Sequence, residues 1–167
     1  MYDELTAVDI QKMQEEIDHR IRVLRPQLIE EVQVTRAFGD LSENFEYKCA
    51  KRAKNRNESR IRYLERMIRT AKVIEVKAEE DAVSLFDKVT IYNEMVKKEM
   101  NIQIVTTLRQ DVLKGLVSKE SPVGKALMGH KVGDRVQVEV SPELKYFVEI
   151  RAIEKGEDDA SMEISSY

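Results

Sequence analysis

Nine residues, GDLSENFEY at positions 39–47, concentrate the chemistry that this chain carries. Asp40, Glu43 and Glu46 recur at intervals of three, which places successive carboxylates on one side of a helical turn. Carboxylates suit hard divalent cations such as Mg²⁺, which takes oxygen ligands and keeps several of its waters. Two carboxylates fall short of a tight site, so a partner has to supply further ligands. Asp40-Leu41-Ser42-Glu43 is equally a capping box, a short polar N-cap with Glu three residues later. Acids in a first helical turn are also favoured by the helix dipole. Cap and ligand are both open from the tetrapeptide, and one does not exclude the other.

The elements that hold this segment are legible on either side of it. From Asp9 to Ala37 there is no glycine, and apolar residues fall at Ile10, Met13, Ile17, Ile21, Leu24, Leu28 and Val32. That spacing of three and four predicts a helix, a rod of roughly 45 Å for thirty residues. Pro26 lies inside the run and, lacking a backbone donor, predicts a kink there. After Gly39 a second stripe follows at Ala50, Ala53, Asn57, Ile61, Leu64, Ile68 and Ala71. Two long amphipathic helices around a short glycine-containing turn read as an antiparallel hairpin, with Asp40, Glu43 and Glu46 at its tip.

Beyond about Glu75 the period changes from 3.6 to 2. Val89 and Ile91, then Met100, Ile102 and Ile104, then Val136, Val138 and Val140 alternate with polar residues, and Phe147–Ile153 is a further run. Gly115, Gly129, Gly133 and Ser141-Pro142 supply the turns, and SPVGKALMGH reads as one short helix capped by Ser121. The expected architecture is α+β. Residues 1–78 form a long coiled-coil hairpin with its acidic tip at 39–46, and residues 79–155 a small, mostly antiparallel sheet domain with one helix. Residues 156–167 are expected to form a disordered acidic tail.

Charge is distributed unevenly. The 167 residues carry 28 Lys/Arg and 31 Asp/Glu, a net charge of −3, which excludes a uniformly basic nucleic-acid coat protein. Residues 1–47 hold five bases and eleven acids, whereas residues 48–72 hold ten bases and only Glu58 and Glu65. Acidic and basic helices lying side by side would pair along their seam. The basic run is also the electrostatic footprint expected for nucleic-acid phosphates, with Tyr47 and Tyr63 nearby as stacking or packing residues.

A single cysteine, Cys49, excludes a disulfide framework and reads as a small packed residue. His19 and His130 are too few and too far apart for a zinc site and read as surface or packing residues. The acidic N-terminus does not resemble a signal peptide, and no apolar run approaches a membrane span. The reading is a cytoplasmic protein without a membrane anchor.

The segments GDLSENFEY and SPVGKALMGHKVGD, in that order, resemble the Gre-type bacterial transcript cleavage factors, GreA and GreB. The resemblance runs from about residue 5 to Ile153. It implies a coiled-coil hairpin and an FKBP-like globular domain, a monomeric accessory factor rather than an enzyme, and association with RNA polymerase core, DNA and the backtracked 3′ end of the nascent RNA. By the same resemblance the globular domain docks on the polymerase and the hairpin enters its secondary channel. Asp40 and Glu43 then hold Mg²⁺ jointly with the polymerase, and Ser42 orients a water or the tip. Lys48, Lys51, Arg52, Lys54 and Arg56 are the implied RNA patch, and their run looks more like the GreB branch, which handles longer backtracked RNA.

The sequence departs from the family at Phe86-Asp87, where Phe-Gly is common, and at Ser141-Pro142-Glu143, where paired glycines are usual. These departures bear on docking rather than on the tip. Three other readings stand beside this one: an inhibitory Gre paralogue that occupies the channel without cleavage, a prolyl isomerase or chaperone, and a purely structural coiled coil. An isomerase site needs a deep aromatic pocket, and residues 81–153 offer only Phe86, Tyr92, Tyr146 and Phe147.

Overall fold

A computed structural model describes residues 3–39 and 44–165 of the chain. They divide into two compact units, one of residues 10–71 and one that joins residues 3–9 to residues 72–165.

The first unit is the hairpin. Helix α1 (Ala7–His19) runs through a π-helical turn (Arg20–Leu24) into α2 (Arg25–Arg36), and α3 (Phe45–Thr70) returns alongside. The irregularity expected at Pro26 takes the form of that π turn, just upstream. Pro26 has no N–H to return to Arg22, and the Arg25 N–H reaches five residues back, to the Arg20 carbonyl. The stripe positions of the first helix are its shielded ones, with Met13 fully buried. On α3 the buried face comprises Ala50, Asn57, Arg60, Ile61, Leu64 and Met67. Each stripe is narrow, so polar pairs carry much of the seam. Arg60 donates to both oxygens of Glu16 at 2.8 and 3.1 Å, and Arg20 donates to Glu16 at 2.7 Å and to Asn57 at 3.0 Å. The expected acid-on-first, base-on-second pattern holds at Glu16–Arg60 and is reversed at Arg25–Glu58, a two-bonded pair at 2.7 and 2.8 Å.

The second unit is built on a five-stranded sheet of order β5-β4-β3-β7-β6, formed by β3 (Lys88–Asn93), β4 (Lys98–Val105), β5 (Leu116–Ser118), β6 (Arg135–Glu139) and β7 (Lys145–Glu154). All neighbours are antiparallel except β4 and β5. A bulge in β7 opposite Thr90 and Ile91 shifts the register, so that Val148 and Ile150 face the core while Arg151 and Ala152 are exposed. The one helix, α4 (Pro122–Leu127), starts as expected, with Ser121 accepting from the Gly124 N–H at 3.0 Å. Phe86, Val89, Ile104, Leu127, Val138, Val148 and Ile150 make up the centre of the core. Met100 and Val140, expected to face inward, are exposed at 42% and 48%, Val140 lying in the turn just past the end of β6.

Two features were not legible beforehand. A parallel two-strand pair, β1 (Glu4–Leu5) with β2 (Lys72–Val73), makes the chain's first residues part of the globular unit. Residues 156–165, expected to belong to a disordered tail, are also held. The Gly156 N–H donates to Asp87 at 3.1 Å, Asp158 pairs with Arg109 at 2.6 Å, and the Ser165 N–H donates to the Leu108 carbonyl at 2.7 Å. Met162 packs against the core. Among the described residues no helix is long and apolar enough to cross a membrane.

Candidate functional site

The hairpin end is closed by one side chain. α2 finishes in a tight turn, with the Ala37 N–H on Val34 at 3.2 Å and the Phe38 N–H on Thr35 at 3.1 Å. Gly39 follows at φ +135°, a backbone conformation that a side chain resists, although space around it is open. Asp40, Ser42 and Glu43, the expected ligands and orienting hydroxyl, lie outside the described residues. The chain resumes at Asn44, which is buried. Its Oδ1 accepts the Tyr47 N–H at 3.0 Å, and its Nδ2 donates to the Thr35 carbonyl at 2.6 Å. Asn44 therefore caps α3 and ties it to the last turn of α2.

The capping box read at Asp40–Glu43 falls outside the described residues, and the cap that the structure shows on α3 is Asn44. The helix begins at Phe45 under an Asn44 cap, four residues after Asp40. Glu46 is in its first turn. Asn44 was the functional-site residue that the sequence reading missed. Its signal was there, a short polar residue before a long glycine-free helix, but Asp40 offered the same signal.

Behind the tip, four of the five expected phosphate-binding bases are exposed: Lys48, Lys51, Arg52 and Arg56. Lys54 is half-buried and lends its charge to Glu58. Lys48, Arg52 and Arg56 follow at intervals of four and share a face, Lys51 flanks it, and Lys54 lies toward the buried side of the helix. No described acid lies within ion-pairing distance of these five. Arg62, Arg66 and Arg69, all exposed, extend the basic surface farther along α3. They stood in the same run and at the same spacing. Tyr63 takes Arg60 and Arg66 over its ring at 5.4 and 5.7 Å, which makes it a packing residue. Cys49 is exposed, contrary to its expected packed role.

The seam charges are tuned by their partners. Burial works to raise the Glu16 pKa, but hydrogen bonds from Arg60 and Arg20, with their charges, outweigh it and hold the carboxyl below its usual range. Arg25 holds Glu58 down in the same way, and Glu58 raises Arg25.

In the globular unit the two departures have structural roles. Phe86 is fully buried at φ +71°, and Asp87 beside it accepts from the Ser84 N–H at 2.8 Å and from Lys155 at 2.8 Å. A glycine at position 87 would forfeit these bonds. Ser141 closes the β6–β7 turn by accepting the Leu144 N–H on its hydroxyl at 3.0 Å. Surface cavities of about 670, 570 and 410 Å³ have no aromatic lining residue. An isomerase-type aromatic pocket gains no support from them.

Models of two domains match most of the chain: "Transcription elongation factor, N-terminal" over residues 4–73, and "Transcription elongation factor, GreA/GreB, C-term" over residues 77–155. The chain belongs to the GreA/GreB family of transcription elongation factors. Transcription elongation factor GreA of Mesoplasma florum is 39% identical over 150 residues, which are 89% of this chain and 96% of that protein. GreA of Thermoanaerobacter pseudethanolicus is 43% identical over 137 residues, 81% of this chain and 87% of that protein. Both bear the GreA name, whereas the basic run had looked more like the GreB branch. Among solved structures, the crystal structure of GreA factor homolog 1 of Thermus thermophilus aligns at 25% identity with a TM-score of 0.42, covering 93% of this chain and all of that one. The Gre C-terminal model ends at residue 155, so the held tail lies beyond the matched region.

Proposed function

We propose that this protein binds bacterial RNA polymerase core and stimulates the polymerase's own cleavage of backtracked nascent RNA. The observation that carries the reading is the family's match across both units, together with the sequence acids Asp40 and Glu43 between α2 and α3. The hairpin enters the secondary channel and brings the tip to the active site, while the globular unit docks outside. Asp40 and Glu43 supply two oxygen ligands, a donor set that fits Mg²⁺ and is completed by polymerase carboxylates. Held there, Mg²⁺ supplies Lewis-acid activation of water and charge stabilisation in phosphodiester hydrolysis. Ser42 positions the attacking water, and Lys48, Lys51, Arg52, Lys54 and Arg56 hold RNA phosphates. The protein acts as a cytoplasmic monomer and is not itself the enzyme.

The test is transcript cleavage in a halted, backtracked complex with the cognate polymerase, comparing wild type with Asp40→Ala and Glu43→Ala. Rapid cleavage by wild type, abolished in both variants while binding survives, supports the proposal. Binding without cleavage by wild type makes the protein an inhibitory paralogue instead. No binding to core polymerase overturns both readings.

A further inference from the structure

Phe45, the first residue of α3, is 70% exposed. A lone exposed apolar side chain is ordinary. Its register is what separates this one. Phe45, Lys48, Arg52 and Arg56 follow at steps of three, four and four, which is one face of a helix, and all four are exposed. The buried face of α3 lies on the other side, at Ala50, Asn57, Ile61 and Leu64, so Phe45 contributes nothing to the seam. No described acid pairs with the three bases. An aromatic at one end of a line of exposed cations is the pattern of single-strand binding, in which a base stacks on the ring and the backbone tracks the charges.

We propose that Phe45 is a stacking platform for a base near the 3′ end of single-stranded RNA, whose phosphates run along Lys48, Arg52 and Arg56. The inference deepens the proposed function and rests on it. Phe45 follows Glu43 by two residues in the sequence. Stacking is indifferent to base identity, which suits a factor that must accept whatever sequence has been extruded. Phe38, 63% exposed in the turn after α2, follows a helix that carries the acids Glu30 and Glu31 and no basic line, so it serves as the control.

The experiment uses the full chain and a backtracked complex whose RNA carries 2-aminopurine at its 3′ terminus, without added divalent metal during the reading. Wild type quenches the fluorescence, Phe45→Tyr retains the quench, and Phe45→Leu, which keeps apolar bulk without a ring, loses most of it. With Mg²⁺ restored, Phe45→Leu slows cleavage fivefold or more, and Phe38→Leu leaves both readings unchanged. Equal quenching and cleavage by wild type and Phe45→Leu overturns the inference and leaves the proposed function standing. Failure of wild type to enter the complex overturns the proposed function, and this inference falls with it.

Discussion

The amide of Asn44 spans the two strands of the hairpin end, donating to the Thr35 carbonyl at 2.6 Å while its oxygen caps Tyr47. One side chain thus fixes both ends of the connection that carries Asp40 and Glu43. Asn44→Ala removes the cap, worth about 0.5–2 kcal/mol, and takes away the side-chain donor to the Thr35 carbonyl, which keeps the Phe38 N–H. Asn44→Asp keeps the cap but faces a carboxylate oxygen to that carbonyl. Both variants are expected to lower the thermal midpoint and to speed hydrogen exchange at the Tyr47 amide. Equal or greater loss in Asn44→Asp identifies the cross-link to Thr35, rather than the cap, as the larger contribution.

Glu16 gives the hairpin an acid-sensitive seam. Its pKa is lowered in the folded chain, so its stabilisation is complete above the unfolded value near 4.5 and fades as pH falls through the lower folded value. Hairpin helicity is therefore expected to weaken on titration from pH 5 downward. Glu16→Gln leaves the buried Arg60 without its carboxylate, at a cost of about 1–3 kcal/mol at neutral pH, and shows a shallower acid response. Circular dichroism melts across that range measure both effects.

Arg109 is the buried hub of the globular unit. It donates to Asp9 at 2.6 Å and pairs with Asp158 at 2.6 Å, with its guanidinium 4.9 Å from the Phe86 ring centre. Arg109→Met strands a fully buried Asp9 and is expected to cost about 3–5 kcal/mol in urea unfolding. Arg109→Lys does not restore stability, because a single ammonium cannot reach the same spread of partners.

Gly156 sets where the tail begins. A Cβ there would lie 1.9 Å from the Phe86 carbonyl oxygen, so Gly156→Ala forces the backbone apart. The expected cost is about 1–3 kcal/mol, with faster proteolysis of residues 156–165. Unchanged protease resistance would show that the tail is held without this close approach.

Legibility followed the range of the forces involved. The hairpin was plain because Ile10 to Val32 and Ala50 to Ala71 repeat a local period, and the strands because Val89–Ile91 and Val136–Val138 alternate. Asp40 and Asn44 are both good caps in sequence, and the tie from Asn44 to Thr35 nine residues away left no local signal. Arg109 meets Asp9 across 100 residues of chain, a separation at which sequence carries no pattern. The tail is held by Gly156, Asp158 and Ser165 singly, without any apolar period to announce it. The tip acids were legible only as residue types at a spacing that fits both a cap and a metal.

The central claim is that Asp40 and Glu43 hold Mg²⁺ jointly with the polymerase. It is tested most directly by transcript cleavage across a Mg²⁺ titration, for wild type, Asp40→Asn and Glu43→Gln at saturating factor. The account predicts that each variant needs roughly tenfold or more Mg²⁺ for half-maximal cleavage and recovers part of its rate at high Mg²⁺. An unchanged Mg²⁺ midpoint in both variants, whatever their rates, would contradict it.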